Sequence, residues 1–261
     1  MHWLEIPVFG QELAELIRGP LSKDYRTLDV RLARVILLEA TDTLLSAMPE
    51  RLRAYALARL GEMGVEVHLR AAASQVTPES VQLQDDTLIS TETVVWTAGV
   101  RGDSQARAWG LPVARNGQVT VLPTLQVPDH PEVYVLGDLA RVEQSGQPLP
   151  MIAPVAIQQG VAVARNIAYQ AAGQSPQPFQ YHDRGAMVTI GRNAAVTHLS
   201  GQDLSGFPAW VIWLGVHIFN LIGFRNRLLV MINWAWDYWF YERAVRLILP
   251  NVAVQARHSP A

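Results

Sequence analysis

The sequence predicts an α/β fold built on a parallel sheet, followed by a helical C-terminal segment rich in aromatic side chains. Residues 35–38 are continuously apolar and end at Glu39, which is typical of a strand buried on both faces of a parallel sheet. Helix and strand patterns then alternate along the chain, which favours such a sheet. In the last third, residues 204–224 carry no charged side chain, and five of the eight tryptophans lie between positions 210 and 239.

The first hundred residues predict two helices and a series of short strands. The helices cover 7–20, closed by Gly19-Pro20, and 50–63, which precedes Gly64. Asp85-Asp86 predicts a turn between two of the strands. The strand patterns lie at 35–38, 65–69, 81–83, 87–89 and 94–96.

A second unit is predicted after residues 97–99. It has a strand at 119–121, another at 133–136 that ends in Gly137-Asp138, and a helix over about 153–171. Residues 173–178 have the composition of a linker. The remaining patterns predict strands at 187–190 and 194–197 and helical structure over 208–248.

Composition excludes several classes of protein. The 261 residues suffice for about two domains, and a hydrophobic fraction of 49% excludes a disordered chain. A net charge of −2 argues against a polycationic nucleic-acid binder. The absence of cysteine excludes disulfide scaffolds, cysteine-ligated metal sites and disulfide reductase chemistry. The seven histidines show no metal-ligand spacing, so we expect no metal site.

Glu39 is the first candidate for a binding residue. An acid at the end of the second strand of a dinucleotide fold hydrogen-bonds the adenosine ribose and repels a 2′-phosphate, which favours NAD over NADP. A solvated acid after a core strand is the alternative. The glycine-rich turn that should precede such a strand is missing, since the first glycine is Gly10.

The chain after residue 130 contains two further candidate binding motifs and one candidate arginine. A strand that ends in Gly137-Asp138 is typical of flavoproteins, where the glycine lets the backbone approach the flavin and the acid accepts hydrogen bonds from ribityl hydroxyls. The alternative is that these two residues form an ordinary turn. The helix start at 153–160 could bind a reduced flavin through the Gln158 and Gln159 amides and the positive end of the helix dipole. The alternative is an ordinary helix start with both glutamines facing solvent. Arg184 either meets an anionic or polar ligand or lies in a turn.

The segment 208–248 permits three interpretations. It is long enough for a transmembrane helix, but glycines, a proline and polar residues interrupt it. A pair of amphipathic helices in the membrane interface, with aromatic rings and arginines at headgroup level, is the interpretation we favour. A buried core helix or a dimer contact is the third.

The motifs, in this order, resemble the type II NADH dehydrogenases, the non-proton-pumping NADH:quinone oxidoreductases. The resemblance extends over about residues 13–250. The resemblance rests on the strand that ends at Glu39 and on five motifs after it. These are VWTAGV at 95–100, VYVLGD at 133–138, APVAIQQG at 153–160, GAMVTIGR at 185–192 and FRNR at 224–227.

The resemblance implies FAD and NADH as cofactors, a quinone as substrate, a homodimer, and peripheral attachment to the cytoplasmic face of the cell membrane through 208–248. Within the nucleotide sites, Glu39 matches the NADH ribose ligand, and Thr97, Ala98 and Gly99 match the crossover close to both cofactors. The FAD-binding positions are Gly137, Asp138 and Ala156.

The same resemblance assigns the residues around the reacting groups. Gln158 and Gln159 match glutamines beside the isoalloxazine ring and the quinone, and Gln158 therefore also counts as a cofactor contact. Arg184 stands where relatives often carry a lysine near the quinone pocket. Pro154 replaces a glutamine that is frequent in the family, which removes one amide partner.

The resemblance also divides the chain into three parts. We expect a partial NADH-binding domain at 1–97 without its first strand and glycine turn, the C-terminal part of an FAD-binding domain at 98–180, and C-terminal strands with membrane-association or dimerisation helices at 181–261. The family opens with a glycine-rich FAD-binding half that has no counterpart here. The sequence therefore predicts an N-terminally truncated, incomplete two-dinucleotide-domain (Rossmann-like) flavoprotein.

Two functions follow from these expectations. The first is FAD-dependent NADH:quinone oxidoreduction in the respiratory chain, with a separately encoded N-terminal chain completing the enzyme. The second is a truncated remnant that holds no FAD and acts only as a membrane-associated or dimerising module.

Overall fold

The computed structural model describes residues 6–22, 29, 32–97 and 99–240. The N-terminal part is a helix followed by a parallel βαβ unit. The helix is α1 (Ile6–Leu16), and the unit consists of β1 (Val35–Leu38), α2 (Glu50–Glu62) and β2 (Val65–His68). β1 and β2 pair in parallel, with Val35 opposite Val65, and α2 forms the crossover. The predicted parallel sheet is thus present here, and the predicted helix 7–20 is shorter because its last residues form a π-helical turn at Ile17–Leu21.

A three-stranded antiparallel meander follows, and it contains β3 (Ala73–Val76), β4 (Ser80–Leu83) and β5 (Leu88–Ser90). The turn predicted at Asp85-Asp86 connects β4 to β5.

The strand predicted at 94–96 is wrong. Residues 93–97 form no strand, and the Val94, Val95 and Trp96 side chains are 39%, 54% and 63% exposed. Their apolar pattern suits a buried strand, but within the described part of the chain no strand pairs with them. An extended segment becomes a strand only when a neighbouring backbone accepts its hydrogen bonds.

The central part consists of short strand pairs packed against one long helix, α4 (Ala153–Ala171). The other elements are α3 (Gln105–Ala108), β6 (Val119–Thr120), β7 (Gln126–Val127), β8 (His130–Tyr134), β9 (Ala140–Arg141), β10 (Glu143–Gln144) and β11 (Gln147–Pro148). β6 pairs with β9 in parallel, and the pairs β7–β8 and β10–β11 are antiparallel.

The strand predicted at 133–136 ends early, at Tyr134. Val135 still donates a hydrogen bond to the carbonyl of Leu125, but the chain then turns into a 3₁₀ helix at Gly137–Leu139. The segment predicted as a linker at 173–178 forms no helix or strand, and it is bound to α4 because the Gln177 N–H donates to Asn166 Oδ1 at 2.8 Å.

The C-terminal part is an antiparallel sheet followed by two helices. The sheet contains β12 (Ala186–Thr189), β13 (Ala195–Leu199) and β14 (Gln202–Gly206). The third of these strands was not predicted, because its sequence lacks an apolar pattern. The helices are α5 (Phe207–Asn220) and α6 (Phe224–Phe240), separated at residues 221–223. None of the described helices is both long enough and apolar enough to cross a bilayer.

Two main hydrophobic clusters hold these parts together. The first combines side chains of the N-terminal βαβ unit with Val188, Ile190 and Val196 of the C-terminal sheet. Arg192 reinforces it, because its N–H donates to Glu15 Oε1 of α1 at 2.8 Å. The second lies within residues 106–163, and a small third cluster lies under the meander. The first and last parts of the chain therefore share one core.

Candidate functional site

The end of the predicted Gly-Asp strand lies against the start of α4. Gly137 has φ +70°, and its N–H donates to Gln159 Oε1 at 2.6 Å. Gln159 is 1% exposed, so this bond is shielded from water. A Cβ built on Gly137 would lie 3.7 Å from the Ala156 Cβ. Gly137 of one predicted motif thus forms a junction with Ala156 and Gln159 of another.

The local sequence determines where α4 begins. Ile152 is extended and its carbonyl accepts hydrogen bonds from the Val155 and Ala156 N–H groups. Pro154, in the first turn, has no N–H to leave unpaired. No side chain caps this end of the helix. The positive end of the α4 dipole therefore lies beside Gly137, where it favours an electron-rich group.

Asp138 presents an exposed carboxylate next to this junction. Its main chain is fixed by Gln118, whose Nε2 donates to the Asp138 carbonyl at 3.1 Å and to the Ala140 carbonyl at 3.0 Å. Gln118 is 3% exposed and also accepts a hydrogen bond from Asn116 Nδ2 at 2.8 Å. Sequence reasoning missed Gln118, since only tertiary contacts distinguish it from other glutamines.

Gln158 connects α4 to the segment that contains Arg184. Its Nε2 donates to the His182 carbonyl at 3.0 Å, and its Oε1 accepts from the His182 N–H at 3.0 Å. Asp183 Oδ1 accepts from the Gly185 N–H at 2.8 Å and closes the next turn. The exposed Arg184 lies within this short turn, which is fixed to the helix start, and its contact with a ligand stays a prediction.

Tyr181, next to this turn, is held by another residue that the sequence did not indicate. Gln144 donates to the Tyr181 carbonyl at 3.1 Å and accepts from the Tyr181 N–H at 2.8 Å. Burial raises the pKa of the Tyr181 phenol, and the nearby Asp183 carboxylate raises it further. The phenol therefore stays neutral well into the alkaline range.

Glu39 and the 97–99 segment lie elsewhere in the fold. Glu39 is half-buried at the carboxyl end of β1, and its Oε1 accepts the Thr41 N–H at 2.8 Å. The Thr97 carbonyl accepts the N–H of Gly99, which has φ +123°, at 2.9 Å. Ala98 lies outside the described residues. Among the hydrogen bonds of the described chain, none joins Glu39 or Thr97 to the Gly137 junction.

Comparison with protein families matches residues 9–160 to the pyridine nucleotide-disulphide oxidoreductase model and residues 183–243 to the NDH2 C-terminal domain model. The chain belongs to the pyridine nucleotide-disulphide oxidoreductase family. The first match covers more than half of the chain and contains the Gly137 junction. The expected α/β fold class is confirmed.

Curated relatives in this family are named as quinone oxidoreductases. The type II NADH:quinone oxidoreductase Ndh of Mycobacterium tuberculosis (strain ATCC 25618 / H37Rv) is 37% identical over 234 residues, which are 85% of this chain and 50% of the relative. An internal alternative NAD(P)H-ubiquinone oxidoreductase A1 of Arabidopsis thaliana is 31% identical over 89% of this chain and 49% of its own length. The chain thus spans about half the length of these relatives, and the predicted resemblance is confirmed.

The fold also matches a solved structure. NDH2 from Plasmodium falciparum, in complex with NADH, superposes with a TM-score of 0.78 at 14% identity, over 88% of this chain and 63% of that one. At this identity the match concerns the fold alone.

Proposed function

We propose that the chain is part of an FAD-dependent NADH:quinone oxidoreductase of type II. The observation that carries the proposal is the junction in which Gln159 holds the Gly137 N–H at the start of α4. Bound FAD would supply the redox chemistry, accepting a hydride from NADH and passing two electrons to a quinone. The similarity to type II relatives supports the same conclusion.

The residues at the junction suit a flavin nucleotide. Gly137 has no Cβ and leaves its backbone open to close approach by a ligand. The exposed Asp138 carboxylate accepts hydrogen bonds from ligand hydroxyls such as those of a ribityl chain. Ala156, as a small residue at the helix start, leaves room beside the strand end. Together these groups would hold FAD at the carboxyl end of the β8 segment.

The two adjacent glutamines take different roles in this proposal. Gln159 is buried and keeps the positive end of α4 aimed at the flavin site, where it stabilises negative charge on a reduced ring. Gln158 orients the turn that carries Arg184 through its two bonds to His182. Arg184 would then attract the oxygens of a quinone as negative charge develops on them.

Glu39 would bind the NADH ribose. One carboxylate oxygen is engaged by the Thr41 N–H, which orients the side chain at the carboxyl end of β1. The other oxygen can accept hydroxyl hydrogen bonds and would repel a 2′-phosphate. Thr97, Ala98 and Gly99 would form the crossover close to both nucleotides.

The α5–α6 pair would attach the protein to the cytoplasmic face of the cell membrane. Large apolar side chains at its turn are strongly exposed, with Phe219 at 72%, Ile222 at 88% and Phe224 at 78%. The exposed Arg225 follows them and suits lipid headgroups. The proposal includes a homodimer, which rests on the family resemblance.

The chain spans about half the length of these relatives, and the proposal includes a separate N-terminal chain that supplies the other half. The competing function is a remnant without FAD that serves only in membrane association or dimerisation.

Visible spectroscopy distinguishes the two functions. The purified chain is compared with a chimaera in which the N-terminal half of M. tuberculosis Ndh is fused ahead of it through a flexible linker. A flavin band near one per chain in the chimaera, bleached by NADH and restored by a soluble quinone, is the expected result. Colourless protein in both preparations would overturn the proposal in favour of the remnant.

A point variant locates the flavin site within the chimaera. Asp138→Ala should lower flavin occupancy at least tenfold, because a ligand carboxylate is lost. Glu79→Ala removes a similarly exposed acid from the loop before β4 and should leave occupancy unchanged. Equal occupancy in both variants would remove Asp138 from the site.

A further inference from the structure

The 3₁₀ turn that presents Asp138 is held from two sides by buried glutamine side chains. On one side, Gln159 of α4 accepts the Gly137 N–H at 2.6 Å. On the other side, Gln118 donates to the Asp138 carbonyl at 3.1 Å and to the Ala140 carbonyl at 3.0 Å. These glutamines are 1% and 3% exposed, whereas the Asp138 side chain is exposed. We call the segment 137–139 the Asp138 turn.

Backbone pairing beside the Asp138 turn is short. β6 and β9 contribute two residues each, with Val119 opposite Ala140. Gln118 directly precedes Val119, so its side chain extends the contact of this strand pair back to the Asp138 carbonyl. Because the Gln118 amide is shielded from water, solvent does not compete for its two hydrogen bonds. Those bonds therefore hold the main chain of the turn.

Asn116 determines the orientation of the Gln118 amide. Asn116 Nδ2 donates to Gln118 Oε1 at 2.8 Å, and Asn116 Oδ1 accepts the Gln118 N–H at 3.3 Å. Since the Gln118 oxygen faces this donor, its Nε2 faces the carbonyls of Asp138 and Ala140. Both amide hydrogens and the amide oxygen of Gln118 are therefore bonded.

The loop that carries Asn116 is itself fixed in position. The Gly102 N–H donates to the Asn116 carbonyl at 3.0 Å, and the Ala114 N–H donates to the Gln118 carbonyl at 2.8 Å. Gly117 has φ +83°, and a Cβ built on it would lie 2.4 Å from the Gly102 carbonyl oxygen. A glycine is needed for this backbone crossing, so the Gln118 side chain extends from a rigid base.

We propose that Gln118 and Asn116 are positioning residues for the flavin site. This inference rests on the proposed function, in which Asp138 accepts hydrogen bonds from the ribityl chain. Neither residue is a flavin ligand. They act through Asp138, because they fix the turn that aims its carboxylate. A carboxylate on a mobile turn would lose conformational freedom when it binds, and a turn that is fixed beforehand avoids that cost.

Matched substitutions separate positioning from general stability. Gln118→Met keeps the length of the side chain and removes its amide. Gln126→Met is the control, because Gln126 is 7% exposed and is also bonded at both ends of its amide. Its Nε2 donates to the Pro131 carbonyl at 2.6 Å and its Oε1 accepts from Thr124 Oγ1 at 2.9 Å, both outside the Asp138 turn.

A third variant tests the orientation of the Gln118 amide. Asn116→Asp replaces the donor that faces Gln118 Oε1 with a carboxylate oxygen, which has no hydrogen to donate. The Gln118 amide then turns its Nε2 towards the new carboxylate and withdraws it from the Asp138 turn. Asn116 is only half-buried, so this change alters the orientation of the amide without opening a cavity in the core.

Hydrogen–deuterium exchange on the chain itself provides the first readout. The Ala140 N–H bonds to the Gly137 carbonyl and reports on closure of the Asp138 turn. We expect exchange in a peptide covering residues 136–142 to be at least tenfold faster in Gln118→Met and Asn116→Asp. In Gln126→Met it should change less than twofold. Unchanged exchange in Gln118→Met, or equal acceleration in Gln126→Met, would overturn the inference.

FAD affinity in the Ndh chimaera provides the second readout. The deflavinated chimaera is titrated with FAD, and the dissociation constant is measured from flavin fluorescence. Gln118→Met should weaken binding at least fivefold in the parent chimaera but less than twofold when Asp138→Ala is already present, because the two residues act as one unit. Equal weakening in both backgrounds would overturn a role through Asp138.

The two readouts also distinguish this inference from the proposed function. A parent chimaera that binds no FAD, together with faster exchange confined to the Asp138 turn in Gln118→Met, contradicts the proposed function alone. A chimaera that binds FAD equally well with and without Gln118→Met contradicts the positioning role alone.

Discussion

A single buried amide connects the strand end at Gly137 to the long helix of the central part. Gln159 is nearly inaccessible, and its oxygen accepts a hydrogen bond from the N–H of the half-buried Gly137. Gln158, one position earlier, bonds to main chain at the surface of the protein. The two residues share a chemical type, yet their helix phases give them different environments.

Gln159→Leu should therefore be the more harmful of the two matched substitutions. It leaves the Gly137 N–H unsatisfied, and we expect a loss of about 1–3 kcal/mol in the free energy of unfolding. Gln158→Leu should lose less, because water can replace its bonds to His182. Urea unfolding followed by tryptophan fluorescence measures both. An order of stabilities opposite to this one would contradict the role assigned to Gln159.

At this scale the sequence predicts which residue types lie at the site but not how each one is used. Gln158 and Gln159 were predicted as a pair beside a flavin ring, and that ring contact stays a prediction. Their bonds to His182 and Gly137 depend on segments that meet only in the folded chain. Gln118 and Gln144 could not be predicted for the same reason, since no local pattern marks a glutamine that binds distant backbone.

Among the elements, the β12–β13 pair depends on a glycine at its start. Gly185 has φ +98°, and a Cβ at this position would overlap the His198 carbonyl oxygen. Gly201 has φ +77° in the β13–β14 turn, with nothing within 4 Å of its Cβ position. Both glycines relieve backbone strain, but only Gly185 also permits close strand approach.

We expect Gly201→Ala to lower the free energy of unfolding by about 1–2 kcal/mol, the cost of a left-handed conformation. Gly185→Ala should lower it by about 2–5 kcal/mol, since overpacking adds to the same strain. Thermal unfolding by circular dichroism compares the two. Similar losses of unfolding free energy in the two variants would mean that the backbone at His198 shifts to accommodate the added methyl group without further cost.

The parallel pair β1–β2 carries a pH-sensitive contact. Arg34 donates two hydrogen bonds to the Glu66 carboxylate, at 2.8 and 2.6 Å, and these bonds lower the pKa of Glu66 below its ordinary value of 4.5. Because the folded-state pKa is the lower one, the contact stabilises the protein above the ordinary value. That contribution is lost as the pH falls through the lowered pKa.

Glu66→Gln should consequently destabilise the protein slightly at pH 7, and the difference from the parent should vanish on strong acidification. Both residues are exposed, so the effect is small and should shrink in high salt. Unfolding midpoints measured from pH 7 downwards provide the test, with Glu79→Gln as the control for loss of one acid. A constant difference at every pH would indicate that packing, rather than charge, is responsible.

Elements were predictable where local pattern and pairing agree. The run at β1 is continuously apolar and the helix α4 is long, so the positions of both follow from sequence. Residues 94–96 have a strand pattern but lack a neighbour within the described chain, and β14 has a neighbour but no apolar pattern. In both cases the pairing partner determines the structure, and a single segment contains no information about its partner.

For the molecule as a whole, the proposed membrane association makes a quantitative prediction. Burying a Phe or Ile side chain contributes about 1.5–3 kcal/mol, so the double variant Phe219→Ser/Ile222→Ser should bind vesicles at least tenfold more weakly. Co-sedimentation with vesicles of mixed neutral and anionic lipids measures this. Trp109→Ser, which removes a 66% exposed ring far along the chain from α5, should bind like the parent. Undiminished binding by the double variant would exclude this turn as the contact.

The family and the fold class were predictable because the order of the motifs along the chain can be read from the sequence without knowledge of tertiary contacts. The segment 208–248 was predicted as a pair of helices without a boundary between them, and the structure divides its described part at residues 221–223. The sharing of one core by the first and last parts of the chain was not predictable. It arises from contacts such as Arg192 to Glu15, between residues 177 positions apart.

That shared core has a consequence during synthesis on the ribosome. β2 emerges early, but Val196, which completes the cluster around Val65, follows about 130 residues later. At roughly 5–20 residues per second, the nascent βαβ unit waits on the order of ten seconds with part of its apolar surface uncovered. During that interval it is a natural client for chaperones that bind exposed hydrophobic segments, and a ribosome paused between β2 and β13 would prolong its exposure.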